Sequence, residues 1–155
     1  MPLRQYVYFA LFSPHVSADE MTSQLAIAPD EVSVRGSRIT GPEAIPVSHS
    51  WKVVCRDPDL CVDEQIARIL DRIQPHTARI AELAGQLAID DGGAVLQVVR
   101  YFSDSDDESP SHPDAPDTLN LFGWHLGRDV LDFLAAVGAE LDVDEYDMAP
   151  SDGTI

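Results

Sequence analysis

The run Tyr6-Val7-Tyr8-Phe9-Ala10-Leu11-Phe12 puts apolar or aromatic side chains on both sides of an extended chain. A strand over 5–12 with that pattern belongs in the middle of a sheet with both faces covered, because a solvated face would show polar alternation. Neighbouring strands and apolar helices must therefore follow. Pro14 ends the strand, and Ser17-Ala18-Asp19-Glu20 has the form of a capping box, with two acids at the positive end of the helix it starts. That helix is predicted over 18–27, with Met21 and Leu25 inward and Pro29 closing it.

The outline of this stretch returns near the other end. Residues 11–19 laid over 121–129 match Leu11 with Leu121, Phe12 with Phe122, His15 with His125 and Asp19 with Asp129. Two strand-helix-strand halves around one sheet are one architecture that such a repeat implies.

Between the two copies, residues 32–35 form a short extended piece, after which Gly36, Gly41, Pro42 and Pro46 forbid regular structure. A strand over 49–55 places His49, Trp51, Val53 and Cys55 on one face. Val62, Ile66, Ile69, Leu70 and Ile73 keep helical spacing, with Asp63 and Glu64 in the first turn. Pro75 interrupts, and Ile80, Leu83, Ala84 and Leu87 carry a second stripe, so two helices or one kinked helix are expected. A Val-rich strand over 94–102 follows. Residues 103–117 are rich in acids and proline and hold no large apolar residue, so ordering them brings no burial, and an acidic mobile loop is expected. Residues 119–126 read as a strand and 128–137 as a helix, with Gly138 placed for a left-handed C-cap. Leu141, Val143 and Tyr146 mark a last strand, and the tail 148–155 is expected to fray.

At 155 residues the chain suits one domain, 1–155, with a sizeable core. The fold class is α+β: a mainly antiparallel sheet with helices packed on one face, in a ferredoxin-like or duplicated split strand-helix-strand arrangement. A parallel doubly wound sheet is the alternative, disfavoured because the strands at 94 and 119 follow each other without a helix.

Ten basic against 27 acidic residues leave a formal charge of -17. That field repels nucleic acid and anionic membranes and favours a basic protein as partner. Without a leader-like or membrane-spanning apolar run, the expected location is the cytoplasm. All the cations but Lys52 are Arg, which fits a GC-rich bacterial genome.

Leu25-Ala26-Ile27-Ala28-Pro29, then Arg35-Gly36, the strand around Trp51, the helix over 62–73 and the closing Leu141-Asp142-Val143-Asp144-Glu145-Tyr146 resemble the bacterial family called domain of unknown function 4279. The acidic insertion at 103–117 departs from it. The resemblance implies a compact α+β domain and carries no activity.

No catalytic motif stands out, the chain lacks an evident nucleophile, and an enzyme is the less favoured reading. Cys55 and Cys61 have no partners at zinc-ligand spacing and read as structural thiols, although Cys61 stands near a helix N-terminus that favours thiolate. A calcium loop counted from Asp104 has Ser109 where Gly is required and Ala115 where Glu is. No metal or cofactor is therefore expected.

Two candidate sites remain, each beside a plainer reading. His15 and His125 would converge on a metal or substrate proton if the halves face each other, whereas such histidines more often bond a loop carbonyl. Arg35 and Arg38 flank a glycine-containing loop, with His49 and Trp51 on the next strand, and together could hold a small anion beside a stacking face. Pairing of the two arginines with nearby acids is the simpler account. The expected function is a non-catalytic binding or interaction module with an acidic surface, immunity-like or sequestering. The alternative is a small-anion or small-molecule domain, binding or enzymatic, built on the Arg35–Trp51 region. The sequence leaves the oligomeric state open.

Overall fold

The computed structural model describes residues 4–37, 46–102 and 123–147. Arg38, residues 103–122, Phe122 among them, and the tail from Met148 lie outside them. The elements run β1 (Arg4–Ser13), α1 (Ala18–Leu25), β2 (Glu31–Ser33), β3 (His49–Cys55), α2 (Val62–Ile73), α3 (Thr77–Ile89), β4 (Gly93–Phe102), α4 (Arg128–Val137) and β5 (Glu140–Asp147). A 3-10 turn, Gln74–His76, carries Pro75 between α2 and α3.

The five strands form one sheet in the order β2-β3-β1-β4-β5, with helices packed on one face. The expected single α+β domain with a mainly antiparallel sheet is what the chain adopts. β1 is its central strand and pairs antiparallel on both sides, Phe9 opposite Val53 of β3 and Leu96 of β4. The β4–β5 pair is parallel, with Val98 beside Val143.

Period-2 alternation decides which side chains of β1 meet the helices. Val7, Phe9 and Leu11 are fully buried on that side, together with Trp51, Val53, Leu96 and Val98 of the neighbouring strands. Burying each such side chain contributes about 1.5–3 kcal/mol. α2 covers β1 and β3 with Val62, Ile66, Ile69, Leu70 and Ile73, while α3 contributes Ile80, Leu83, Ala84 and Leu87. α4 packs on α3, and its Phe133 meets Phe9 edge-on at 5.6 Å.

The local signals at the helix ends work as their chemistry requires. Ser17 Oγ accepts the Glu20 N–H at 3.2 Å. Gly138 ends α4 at φ 68°, a left-handed conformation without penalty for glycine. α1 stops at Leu25, two residues before the expected Ile27, because Ala26 turns left-handed at φ 57° and donates its N–H to Thr22 O at 2.8 Å.

Three expectations are corrected. Residues 123–126, the described part of the strand predicted over 119–126, carry no strand. The two halves also differ in how their strands sit: β1 leads through α1 to β2, which runs parallel to β1 with β3 between them, whereas α4 leads into β5, which pairs directly with β4. Finally, β1 is central as expected, but among the described residues only one of its faces is covered by helices.

Candidate functional site

The uncovered face follows from register. Residues opposite one another across antiparallel strands project to the same side. With Val7, Phe9 and Leu11 turned to the helices, the other side of β1 presents Tyr6, Tyr8, Ala10 and Phe12. Tyr8 stands between Val54 and Gln97, Ala10 between Lys52 and Val95, and Arg4 opposite Tyr101. Across the parallel pair, Tyr101 lies beside Tyr146, Val99 beside Asp144 and Gln97 beside Asp142. All four tyrosines of the chain thus belong to this face.

Aromatic stacking and charge organise it. Tyr6 and Tyr8 stack at 6.2 Å, and Tyr101 and Tyr146 at 5.1 Å with ring planes 17° apart. On the β3 side, Lys52 Nζ lies 4.6 Å over the Tyr8 ring and the Arg56 guanidinium 4.2 Å over Tyr6. Arg56 also pairs with Glu31 at 2.8 Å. The β5 side is purely acidic, with Glu140, Asp142 and Asp144 on the open face. Gln97 Nε2 donates to Asp144 at 3.0 Å, and among the described residues no cation forms a salt bridge with these three carboxylates.

Burial first, and then Tyr101, push the Tyr6 phenol upward against the lowering pull of Arg56. The Tyr8 phenol is also raised, by burial first and then by Tyr6, Asp144 and Asp142. Both therefore stay neutral near pH 7, where they present aromatic area and an O–H without adding charge.

The sequence-predicted residues fall elsewhere. Arg35 and His49 do meet: the Arg35 N–H donates to His49 Nδ1 at 3.1 Å, which leaves a neutral imidazole protonated on Nε2. The Arg35 guanidinium donates to Pro14 O at 3.0 Å and so fastens the loop after β2 to the end of β1. Trp51 is corrected as a stacking face: it is fully buried, on the helix side of β3. An open groove between β3 and α2 is lined by Val54, Cys55, Arg68 and Arg72 among others, but by neither Arg35 nor His49.

His15 and His125 are not brought together. His15 follows Ser13 at the end of β1, and its N–H donates to Ser13 Oγ. His125 is held by Asp63, which accepts its N–H at 2.9 Å and lies 3.0 Å from its Nδ1. Asp63 belongs to the first turn of α2, beside Gln65, whose amide donates to Gln5 O at the opposite end of β1. The two imidazoles are thus separated by roughly the length of that strand, on the order of 30 Å. The His125 side chain thus fastens its loop to α2, whereas the bond described for His15 is made by its backbone N–H. Cys55 and Cys61 are free thiols, and Cys61 caps α2 with its N–H donating to Glu64 at 3.1 Å.

The tyrosine face was missed because β1 reads as apolar on both sides when tyrosine is counted with the core residues. The available signal was the type of aromatic: Tyr6 and Tyr8 carry hydroxyls, while their alternates Val7 and Phe9 do not.

Among the described residues no helix is long and apolar enough to cross a membrane, and no group of three or more His, Cys, Asp or Glu is placed to hold a metal ion. No curated protein and no solved structure matches the chain. A family model described as Domain of unknown function (DUF4279) matches residues 3–148, a span that includes every strand and helix above. The chain therefore belongs to the DUF4279 family.

Proposed function

We propose that this protein is a non-catalytic docking module that takes a basic protein segment on the β4–β5 side of its open sheet face. One observation carries the reading: a sheet face that no helix covers among the described residues gathers every tyrosine of the chain, with Glu140, Asp142 and Asp144 along one side. Tyrosine offers large contact area with little side-chain entropy to lose, and its ring face also attracts cations. The surrounding field, set by a charge of -17, speeds the approach of a basic partner.

An immunity-like or sequestering role, in which the bound segment is masked, follows from such capture. The free thiols of Cys55 and Cys61 suit a reducing compartment, in keeping with the cytoplasm. A small-anion site at Arg35 has less support, because its guanidinium already serves Pro14 O and Trp51 is buried.

The test is a titration of the isotope-labelled chain with a Lys- and Arg-rich peptide, followed by amide chemical shifts. Perturbations confined to β4 and β5, and abolished in an Asp142→Lys/Asp144→Lys variant, support the reading. Perturbations spread evenly over the acidic surface, or unchanged in that variant, refute it.

A further inference from the structure

We infer that Tyr101 and Tyr146 are the site of an oxidative modification, an intrachain dityrosine bond that ties β5 covalently to β4 when the protein meets a peroxide-driven one-electron oxidant. The inference goes beyond the docking reading and does not depend on it. Tyr101 and Tyr146 are register partners in the parallel pair, so their side chains leave adjacent strands on the same face. Their rings stack at 5.1 Å with planes 17° apart. The χ2 torsion of tyrosine is broad, so a small rotation brings the carbons ortho to the two hydroxyls together.

The pair stands at the end of a continuous line of phenols. Tyr8 stacks on Tyr6 at 6.2 Å, and Tyr6 shares a hydrogen bond with Tyr101. An electron hole created on any of the four can pass along this line, and electrostatics decide where it settles. Lys52 Nζ lies 4.6 Å over the Tyr8 ring and the Arg56 guanidinium 4.2 Å over Tyr6. A cation over a ring opposes a second positive charge within it. Tyr146 instead follows Asp144 by two residues on the same face, with Asp142 one step further along. These carboxylates favour the oxidised ring and offer an acceptor for its proton. Arg4 stands opposite Tyr101, so of the two stacked rings Tyr146, which is 46% exposed, is the one oxidised first.

Each tyrosine gives up one electron and its phenolic proton. The two radicals join through their ortho carbons, and each ring then passes the hydrogen of that carbon to its own oxygen, which restores both phenols. Two tyrosines and one hydrogen peroxide thus yield one dityrosine and two molecules of water, the peroxide being the species reduced. The product anchors a thinly packed strand: Leu141 and Val143 of β5 are 39% and 37% exposed, which leaves the backbone ladder to β4 as a large part of its hold on the sheet.

The experiment treats the full chain, dilute enough to keep molecules apart, with hydrogen peroxide and a haem peroxidase, and maps the products by mass spectrometry of proteolytic fragments. The expected product is a monomer in which the fragments holding Tyr101 and Tyr146 are joined with loss of two hydrogens and show dityrosine fluorescence. Tyr146→Phe keeps an aromatic ring at the position but removes the hydroxyl that starts the reaction, and should abolish the cross-link. Tyr8→Phe should leave it in place. Dityrosine confined to dimers, a monomer cross-link between other tyrosines, or one that survives Tyr146→Phe overturns the inference. A treated chain that forms no dityrosine overturns it as well.

Discussion

The Asp30 carboxylate accepts the Val54 N–H at 2.7 Å and an Arg72 N–H at 2.6 Å, while its own backbone N–H donates to Lys52 O at 2.8 Å. It thus ties the start of β2 to both β3 and α2. Burial alone would raise this carboxyl, but the Arg72 guanidinium and the Val54 N–H outweigh it and hold the group below the usual carboxylate range. A depressed folded-state value means that stability is present above the unfolded value, about 3.9, and is lost as pH falls through the folded one. Asp30→Asn should therefore cost about 1 kcal/mol at pH 7, modest because the ion pair is partly exposed. In urea unfolding followed against pH, the gap between variant and wild type should narrow below pH 4; a gap constant with pH would exclude the electrostatic account. Trp51 offers a second check. In a Trp124→Phe background, the fluorescence of Trp51 should resist iodide quenching, and Trp51→Ala should lose about 3–5 kcal/mol because the side chain is fully buried.

At the level of elements, α2 was the most legible part of the chain. Val62, Ile66, Ile69, Leu70 and Ile73 read as one stripe, and all are buried. Ile66→Ala should cost about 2–5 kcal/mol by thermal or chemical denaturation. A loss below about 1 kcal/mol would mean that the α2 stripe does not pack as described. Capping signals were legible for the same reason, since Ser17 and Gly138 act through neighbours a few residues away. Tertiary choices were not. The alternation of β3 correctly put Trp51 and Val53 on one face, yet nothing local says whether that face meets helices or solvent. The His15 and His125 pair failed similarly: like junctions were visible, but where each junction sits depends on contacts between distant segments, and Asp63 of α2 holds His125 far from the end of β1 that carries His15. Arg38, the other half of the proposed arginine pair, lies outside the described residues.

For the whole molecule, the balance of charges decides how salt acts. The described ion pairs, such as Arg56–Glu31 and Arg72–Asp30, are mostly exposed, and each is worth about 0–1 kcal/mol before screening. Against them stands the mutual repulsion of a surface carrying 27 acids and 10 bases. Repulsion wins, so Tm should rise as the Debye length falls from about 30 Å at 0.01 M salt to about 8 Å at 0.15 M. A falling Tm over that range would show that the ion pairs dominate. Chain order adds a consequence for synthesis. The strand at the centre of the sheet leaves the ribosome before the other four, and its two partners, β3 and β4, follow only from His49 and Gly93. Until then Tyr6 to Phe12 must wait with both edges open, in a form that any other unpaired strand can join. A nascent chain halted after α3 would hold β1 with one neighbour missing, so one edge of the central strand stays open until β4 emerges.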